Sequence, residues 1–219
     1  MFRIANRESR IAGAKRPIVC LVTSGSGDVE GTLGQIRAAV DAGVTLVQIR
    51  EPRLADPELL ELTRRACGAA GESGPRILVN DRLDVAVAAG AHGVHLRASS
   101  FGAARVRERM GKTFLIGRSV HERAEAIDAE REGACDYLMF GTVFPSRSKP
   151  EGHGIAGLEA LRDVCRHVRV PVVAIGGITV GCAASVCDAG AAGIAAISLF
   201  GDVESMRSAV ESVRHSFDT

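Results

Sequence analysis

Short apolar runs recur along this chain at near-regular intervals, each separated from the next by an amphipathic segment, and that alternation limits what it can fold into. The runs are Ile18–Thr23, Leu46–Arg50, Ile77–Asn80, Gly93–Leu96, Phe114–Ser119, Tyr137–Gly141, Val172–Ile175 and Ile194–Ser198. Helical patterns lie between and after them, over Thr32–Ala42, Pro57–Ala70, Leu83–Ala89, Ala103–Met110, Glu122–Gly133, Gly157–Val168, Cys182–Ala189 and Ser205–Phe217. The runs are apolar on both faces, as parallel strands covered on both sides are. Strict βα alternation over eight units predicts a single-domain (β/α)8 TIM barrel, class α/β, over residues 18–219. A polar, basic leader over residues 1–17 (MFRIANRESRIAGAKR and Pro17) is expected to be poorly ordered.

A weak internal repeat supports the same architecture. "DAGVTLVQIR", "AAGAHGVHLR", "REGACDYLMFG" and "DAGAAGIAAIS" each end a helix at glycine and enter a strand a few residues later. Glycine suits the left-handed turn that closes a helix. Composition excludes several partners. Net charge is +1, with 27 basic against 26 acidic residues, so no basic field invites nucleic acid or a membrane surface. With no Trp and a single Tyr there is no aromatic platform for single strands. Six cysteines without CxxC spacing predict free thiols rather than a disulfide framework. No run approaches the length of a membrane helix, which predicts a cytoplasmic protein; self-association into a homo-oligomer is left open.

Barrel enzymes carry their chemistry at the C-terminal ends of the strands. That rule selects Gln48 and Arg50 after the second run, Asn80 and Asp81 after the third, and His95 with Arg97 to Ser100 around the end of the fourth. It also selects Ser119 and His121 after the fifth, and the long loop Thr142 to Gly154, with Ser146, Ser148 and Lys149, after the sixth. Gly176 and Gly177 follow the seventh run, and Ile197 and Ser198 end the eighth, which is where barrels often hold a phosphate group. The serines and lysine of the sixth loop suit a second anionic group such as pyrophosphate. Asp81 is suited to Mg2+ or to capping the third helix, and without a second carboxylate nearby the cap is favoured. His95 is expected to point into the barrel as a hydrogen-bonded core residue.

"VQIRE", "VNDRLDVAVAAGAHGVHL", "GRSVH", "FGTVFPSRSK" and "PVVAIGGIT" with "AGAAGIAAIS" together resemble the thiamine phosphate synthase superfamily, which includes the thiazole tautomerase TenI. The resemblance covers about residues 18 to 200 and implies a phosphorylated thiazole substrate on the loops after the seventh and eighth strands. Its synthase branch joins a hydroxymethylpyrimidine pyrophosphate to a thiazole phosphate, with Mg2+ bridging the pyrophosphate between two aspartates. Gln48 and Arg50 match that branch's Gln-x-Arg-x-Lys pattern, but Pro52 stands at the lysine. Asp81 matches the first metal ligand, whereas the second falls at about Ser100. The tautomerase branch is similar to this chain in "GRSVH", "SSF" and "LMFGTVF". There the histidine matching His121 is implied to shuttle the proton that aromatises a carboxylated thiazole phosphate, with no cofactor. The expectation drawn from these departures is a TenI-like tautomerase with His121 catalytic. The alternatives are a divergent Mg2+-dependent synthase with Asp81 as metal ligand, and a non-catalytic ligand-binding regulator.

Overall fold

The computed structural model describes residue 11, residues 17–146 and residues 154–218. Eight parallel strands close into one barrel in sequence order: β1 (Ile18–Val22), β2 (Leu46–Ile49), β3 (Arg76–Asn80), β4 (Gly93–Leu96), β5 (Leu115–Val120), β6 (Tyr137–Phe140), β7 (Val172–Ile175) and β8 (Gly193–Ala196). The helices that return the chain are α1 (Val29–Ala42), α2 (Asp56–Ala70), α3 (Leu83–Ala89), α4 (Ala103–Met110), α5 (Arg123–Glu132), α6 (Gly157–His167), α7 (Ala183–Asp188) and α8 (Met206–Asp218). The predicted architecture and the order of its elements hold throughout. Of the predicted leader only Ile11 and Pro17 are described, and Ile11 packs with the residues that fill the barrel interior.

Alternation along each strand divides the apolar residues into two cores. Residues such as Val19, Val47, Val79, Val94, Ile116, Leu138 and Ile194 face outward and meet the helices. Cys20, Leu46, Leu78, Leu115, Tyr137, Val173 and Ala195 face inward and fill the interior. All six cysteines are free thiols, and burial pushes Cys20, Cys135 and Cys165 up to about 12, so they remain neutral and pack as small apolar groups.

Element ends differ from the sequence expectation where polar caps hide in glycine-rich text. Helix α1 begins at Val29 rather than Thr32, because Asp28 accepts the Gly31 backbone N–H at 3.0 Å and nucleates the turn within "SGSGDVEG". The repeat glycines behave as expected: Gly43, Gly90 and Gly133 close α1, α3 and α5 in the left-handed region, at φ of 76°, 71° and 70°. A carboxylate the sequence analysis passed over secures the β1–α1 connection. Glu51 is 3% exposed, and accepts the Gly25 and Gly27 backbone N–H groups at 3.1 and 3.0 Å.

One interior layer depends on an absent side chain. His95, Gly117 and Tyr137 lie in register on β4, β5 and β6. A Cβ on Gly117 would stand 2.2 Å from Tyr137 Cζ, so the phenol crosses β5 only because that position is glycine. Gly117→Ala is therefore expected to lose about 1–3 kcal/mol of stability through overpacking, read as a lower midpoint in urea unfolding. An unchanged midpoint would mean that the ring is not wedged against β5.

Candidate active site

The C-terminal strand ends surround a cavity of about 1430 Å³. Gln48, Arg50, Asn80, Ser119, His121, Ser146, Gly176, Gly177, Ile197 and Ser198, each singled out from the sequence, all line it. Ser148 and Lys149 lie outside the described residues. Thr142, the first residue of the anticipated sixth loop, also reaches the wall, as do Arg82 and Met139, which were not anticipated.

The floor is a chain of hydrogen bonds whose polarity can be worked out. Tyr137 is fully buried, and burial holds its phenol far above the usual range, so it stays protonated. Among the described residues the hydroxyl has one polar partner, His95 Nδ1, at 2.9 Å. The phenol therefore donates, Nδ1 accepts, and the imidazole carries its hydrogen on Nε2. Nε2 in turn lies 2.9 Å from Ser119 Oγ and donates to it. The Ser119 hydrogen is left for a ligand in the cavity. His95 is 1% exposed, as expected of a core histidine, and burial pushes its pKa down to about 3, against the weaker opposing pull of the Asp81 carboxylate.

Next to it, Gln48 donates from Nε2 to Asn80 Oδ1 at 2.8 Å. The Gln48 Oε1 atom is buried and has no partner among the described residues, an acceptor that a bound donor would satisfy. At the rim, His121 Nδ1 lies 2.7 Å from the Gly141 carbonyl oxygen. A carbonyl only accepts, so Nδ1 carries a hydrogen and Nε2 is the atom left for other contacts. The His121 backbone N–H donates to Glu125 at 2.7 Å, which fixes the turn from β5 into α5.

Gly176 and Gly177 have φ of 101° and 64°. Side chains there would collide with the sixth loop: a Cβ would lie 2.5 Å from Thr142 Cγ2 or 2.2 Å from the Pro145 carbonyl oxygen. That loop extends the pairing with β7, through Val143 N–H to Ile175 and Phe144 N–H to Gly176, both 3.0 Å. The two glycines are thus needed first for this close approach of backbone to backbone.

Asp81 does not cap α3, contrary to expectation. The N-cap position is Arg82, without a side-chain cap, and Asp81 itself turns at φ 61°. Its Oδ1 accepts the Ser100 hydroxyl, and its Oδ2 lies 3.3 Å from Arg97 Nε. The neutral hydroxyl and the guanidinium occupy the surroundings where the family pattern would set a second carboxylate. Among the described residues no cluster of three His, Cys, Asp or Glu side chains suits a metal ion. The donor set therefore does not match a two-carboxylate Mg2+ site.

A closed (β/α)8 barrel with its polar strand ends gathered around one large cavity defines a barrel of the enzyme type, with its chemistry at the C-terminal mouth. The chain belongs to the thiamine monophosphate synthase family, whose model matches residues 19–200. It is 38% identical to a thiamine-phosphate synthase of Chloroflexus aurantiacus over 179 residues, 82% of each chain. With a thiamine-phosphate synthase of Chlorobium luteolum it shares 35% identity over 203 residues, 93% of this chain and 94% of the other. The solved structure of a thiamine phosphate pyrophosphorylase from Pyrococcus furiosus superposes with a TM-score of 0.78 at 32% identity, covering 97% of this chain and 98% of that one.

These relatives overturn the expected tautomerase. Relatives across nearly the whole chain carry the synthase name, so neither the isomerase assignment nor the acid/base role it gave His121 is retained. The error came from weighing Pro52 and Ser100 as lost chemistry, when arginines nearby (Arg50 and Arg97) also line the cavity. Among the described residues, no helix is long and apolar enough to cross a membrane.

The buried imidazole gives a pH test. His95 in the unfolded chain titrates near 6.5 and in the folded chain near 3, so between those values the unfolded state binds more protons. Its contribution to stability is complete above pH 6.5 and is lost as pH falls towards 3. Replacing it (His95→Gln) is expected to flatten the acid limb of the stability curve by up to one proton, about 1.4 kcal/mol per pH unit. Parallel limbs for wild type and variant in urea titrations would contradict a neutral buried His95.

Proposed function

We propose that this protein is a thiamine-phosphate synthase, joining hydroxymethylpyrimidine pyrophosphate to thiazole phosphate with release of diphosphate. The observation that carries the reading is the family match over residues 19–200. The cavity supports it. About 1430 Å³ exceeds the roughly 300–1,000 Å³ of a pocket for one drug-sized ligand, as a site for two ring substrates must.

The roles of the residues follow from their chemistry. Ser119, with its hydrogen directed away from His95, donates to a ring nitrogen, and Gln48 Oε1 accepts from a donor on the ring. Both atoms are fixed from behind, so the ring is held at little entropic cost. The thiazole phosphate lies against backbone N–H groups of the loops carrying Gly176, Gly177, Ile197 and Ser198. The diphosphate lies towards Arg50 and Asn80, and the hydroxyls and ammonium of Ser146, Ser148 and Lys149 are the groups of the sixth loop whose chemistry suits it. His121 stands at the rim and contributes a wall and a hydrogen-bonding atom. As the new bond forms to the thiazole, negative charge moves onto the departing diphosphate, and fixed cations there lower the barrier. No part of this scheme is routed through a metal, because the donor set does not match one.

The test supplies both substrates and follows thiamine phosphate and diphosphate together, with and without Mg2+. Wild type is expected to form them in equal amounts, and Gln48→Ala to lose about tenfold or more in kcat/KM through the missing ring contact. Absence of product under every metal condition would reject the reading. Retained thiazole phosphate binding would then favour a non-catalytic regulator.

A further inference from the structure

At the mouth, Arg97 is less fully paired than Arg82 and Arg118. Arg82 is neutralised by Asp56 and Asp84 at 2.6 and 2.7 Å. Arg118 is tied to the Ala98 carbonyl at 2.9 Å. Arg97 also lines the cavity, yet its side chain remains 60% exposed, and among the described residues only its Nε meets a partner, Asp81. Both Nη groups are left for a ligand.

The backbone places Arg97 deliberately. Its N–H donates to Ser100 Oγ at 2.9 Å, and that hydroxyl donates on to Asp81. The Ser100 N–H returns to the Arg97 carbonyl at 3.1 Å, so the β4–α4 turn is closed around the ion pair. Strand register does the rest: Gln48 pairs with Leu78 and Asn80 with His95, which sets the ends of β2, β3 and β4 side by side. Arg50, Asn80 and Arg97 thus follow one another around the rim. Two guanidiniums stand at these strand ends, and of the two carboxylates beside them Glu51 is turned onto the Gly25 and Gly27 N–H groups and Asp81 onto Ser100 and Arg97.

Resting on the synthase reading above, we infer that Arg97, oriented by Asp81, is the fixed cation that binds the diphosphate of the pyrimidine substrate, where the family pattern would set a metal bridge. A guanidinium presents two parallel N–H donors to two phosphate oxygens, which a lysine at position 52 would not. Nε on Asp81 holds the plane of the fork, so the Nη pair faces the ligand. A metal on Asp81 Oδ2 and Arg97 on the same oxygen exclude one another. Asp81 therefore acts as a positioning residue, and Ser100, having no charge, leaves Arg97 with one carboxylate rather than two.

Calorimetry with inorganic pyrophosphate, on the full chain, tests this directly. Wild type is expected to bind pyrophosphate in EDTA. Arg97→Ala, at an exposed position, is expected to melt like wild type and bind about tenfold or more weakly. Ser100→Asp, which adds the second carboxylate, is expected to lose binding in EDTA and regain it when Mg2+ is added. Pyrophosphate binding by wild type only with Mg2+, or equal affinity in Arg97→Ala, would overturn the assignment. The two readings fail separately. Thiamine phosphate formation by wild type with unchanged pyrophosphate affinity in Arg97→Ala removes Arg97 and keeps the synthase. Pyrophosphate binding that depends on Arg97, without thiamine phosphate formation, removes the pyrimidine substrate and with it the assignment as stated.

Discussion

The hydrogen of a single buried phenol orders the floor of this site. Tyr137 is fully buried, and among the described residues its one polar partner is His95, so the imidazole tautomer is set from the interior of the barrel rather than from the cavity. Ser119 inherits its orientation from that tautomer. The arrangement exists because Gly117 leaves β5 without a side chain between the two rings, whose centroids stand 5.6 Å apart. A packing constraint in the core is thereby converted into a donor of fixed direction at the surface of the cavity. Buried polar chains of this kind are costly when incomplete, which is why each member here has its partner.

Above that neutral floor the mouth is arranged by charge. Carboxylates serve chiefly to hold backbone and arginines in place: Glu51 gathers two glycine N–H groups, Asp56 and Asp84 fix Arg82, and Asp81 fixes Arg97. Of the two arginines so held at the cavity wall, Arg82 is neutralised and Arg97 is only partly paired. An anionic substrate entering such a mouth meets pre-oriented donors. On the proposed synthase reading, the floor would take ring recognition and the rim anion recognition.

Fold was legible in the sequence because βα alternation is a long, repeated signal, and closing glycines such as Gly43, Gly90 and Gly133 mark several of the units. Strand-end residues were legible for the same reason: once the barrel is known, Gln48, Asn80, Ser119 and Gly176 have only one place to go. What escaped depends on contacts between units. Glu51 reads as a surface glutamate beside Arg50, and nothing local reveals that Gly25 and Gly27 fold onto it from 24 or more residues away. Tyr137 reads as an apolar strand residue, and its partner is 42 residues distant. Asp81 reads as a helix cap because caps are local, while Ser100 and Arg97 become its partners only through the pairing of β3 with β4.

The misjudged chemistry has the same origin. In the sequence, Pro52 and Ser100 stand as a lost cation and a lost carboxylate, and together the losses argue against a synthase. In the folded barrel the two changes bear on one rim. Removing a carboxylate near Asp81 leaves Arg97 with a single acidic partner, and Arg50 remains at the adjoining strand end. Charge at a site is a property of the assembled strand ends, so a substitution at one of them is interpretable only together with its neighbours around the barrel. A missing residue in such a ring is therefore a weak reason to withdraw a function and a good reason to look at the next strand.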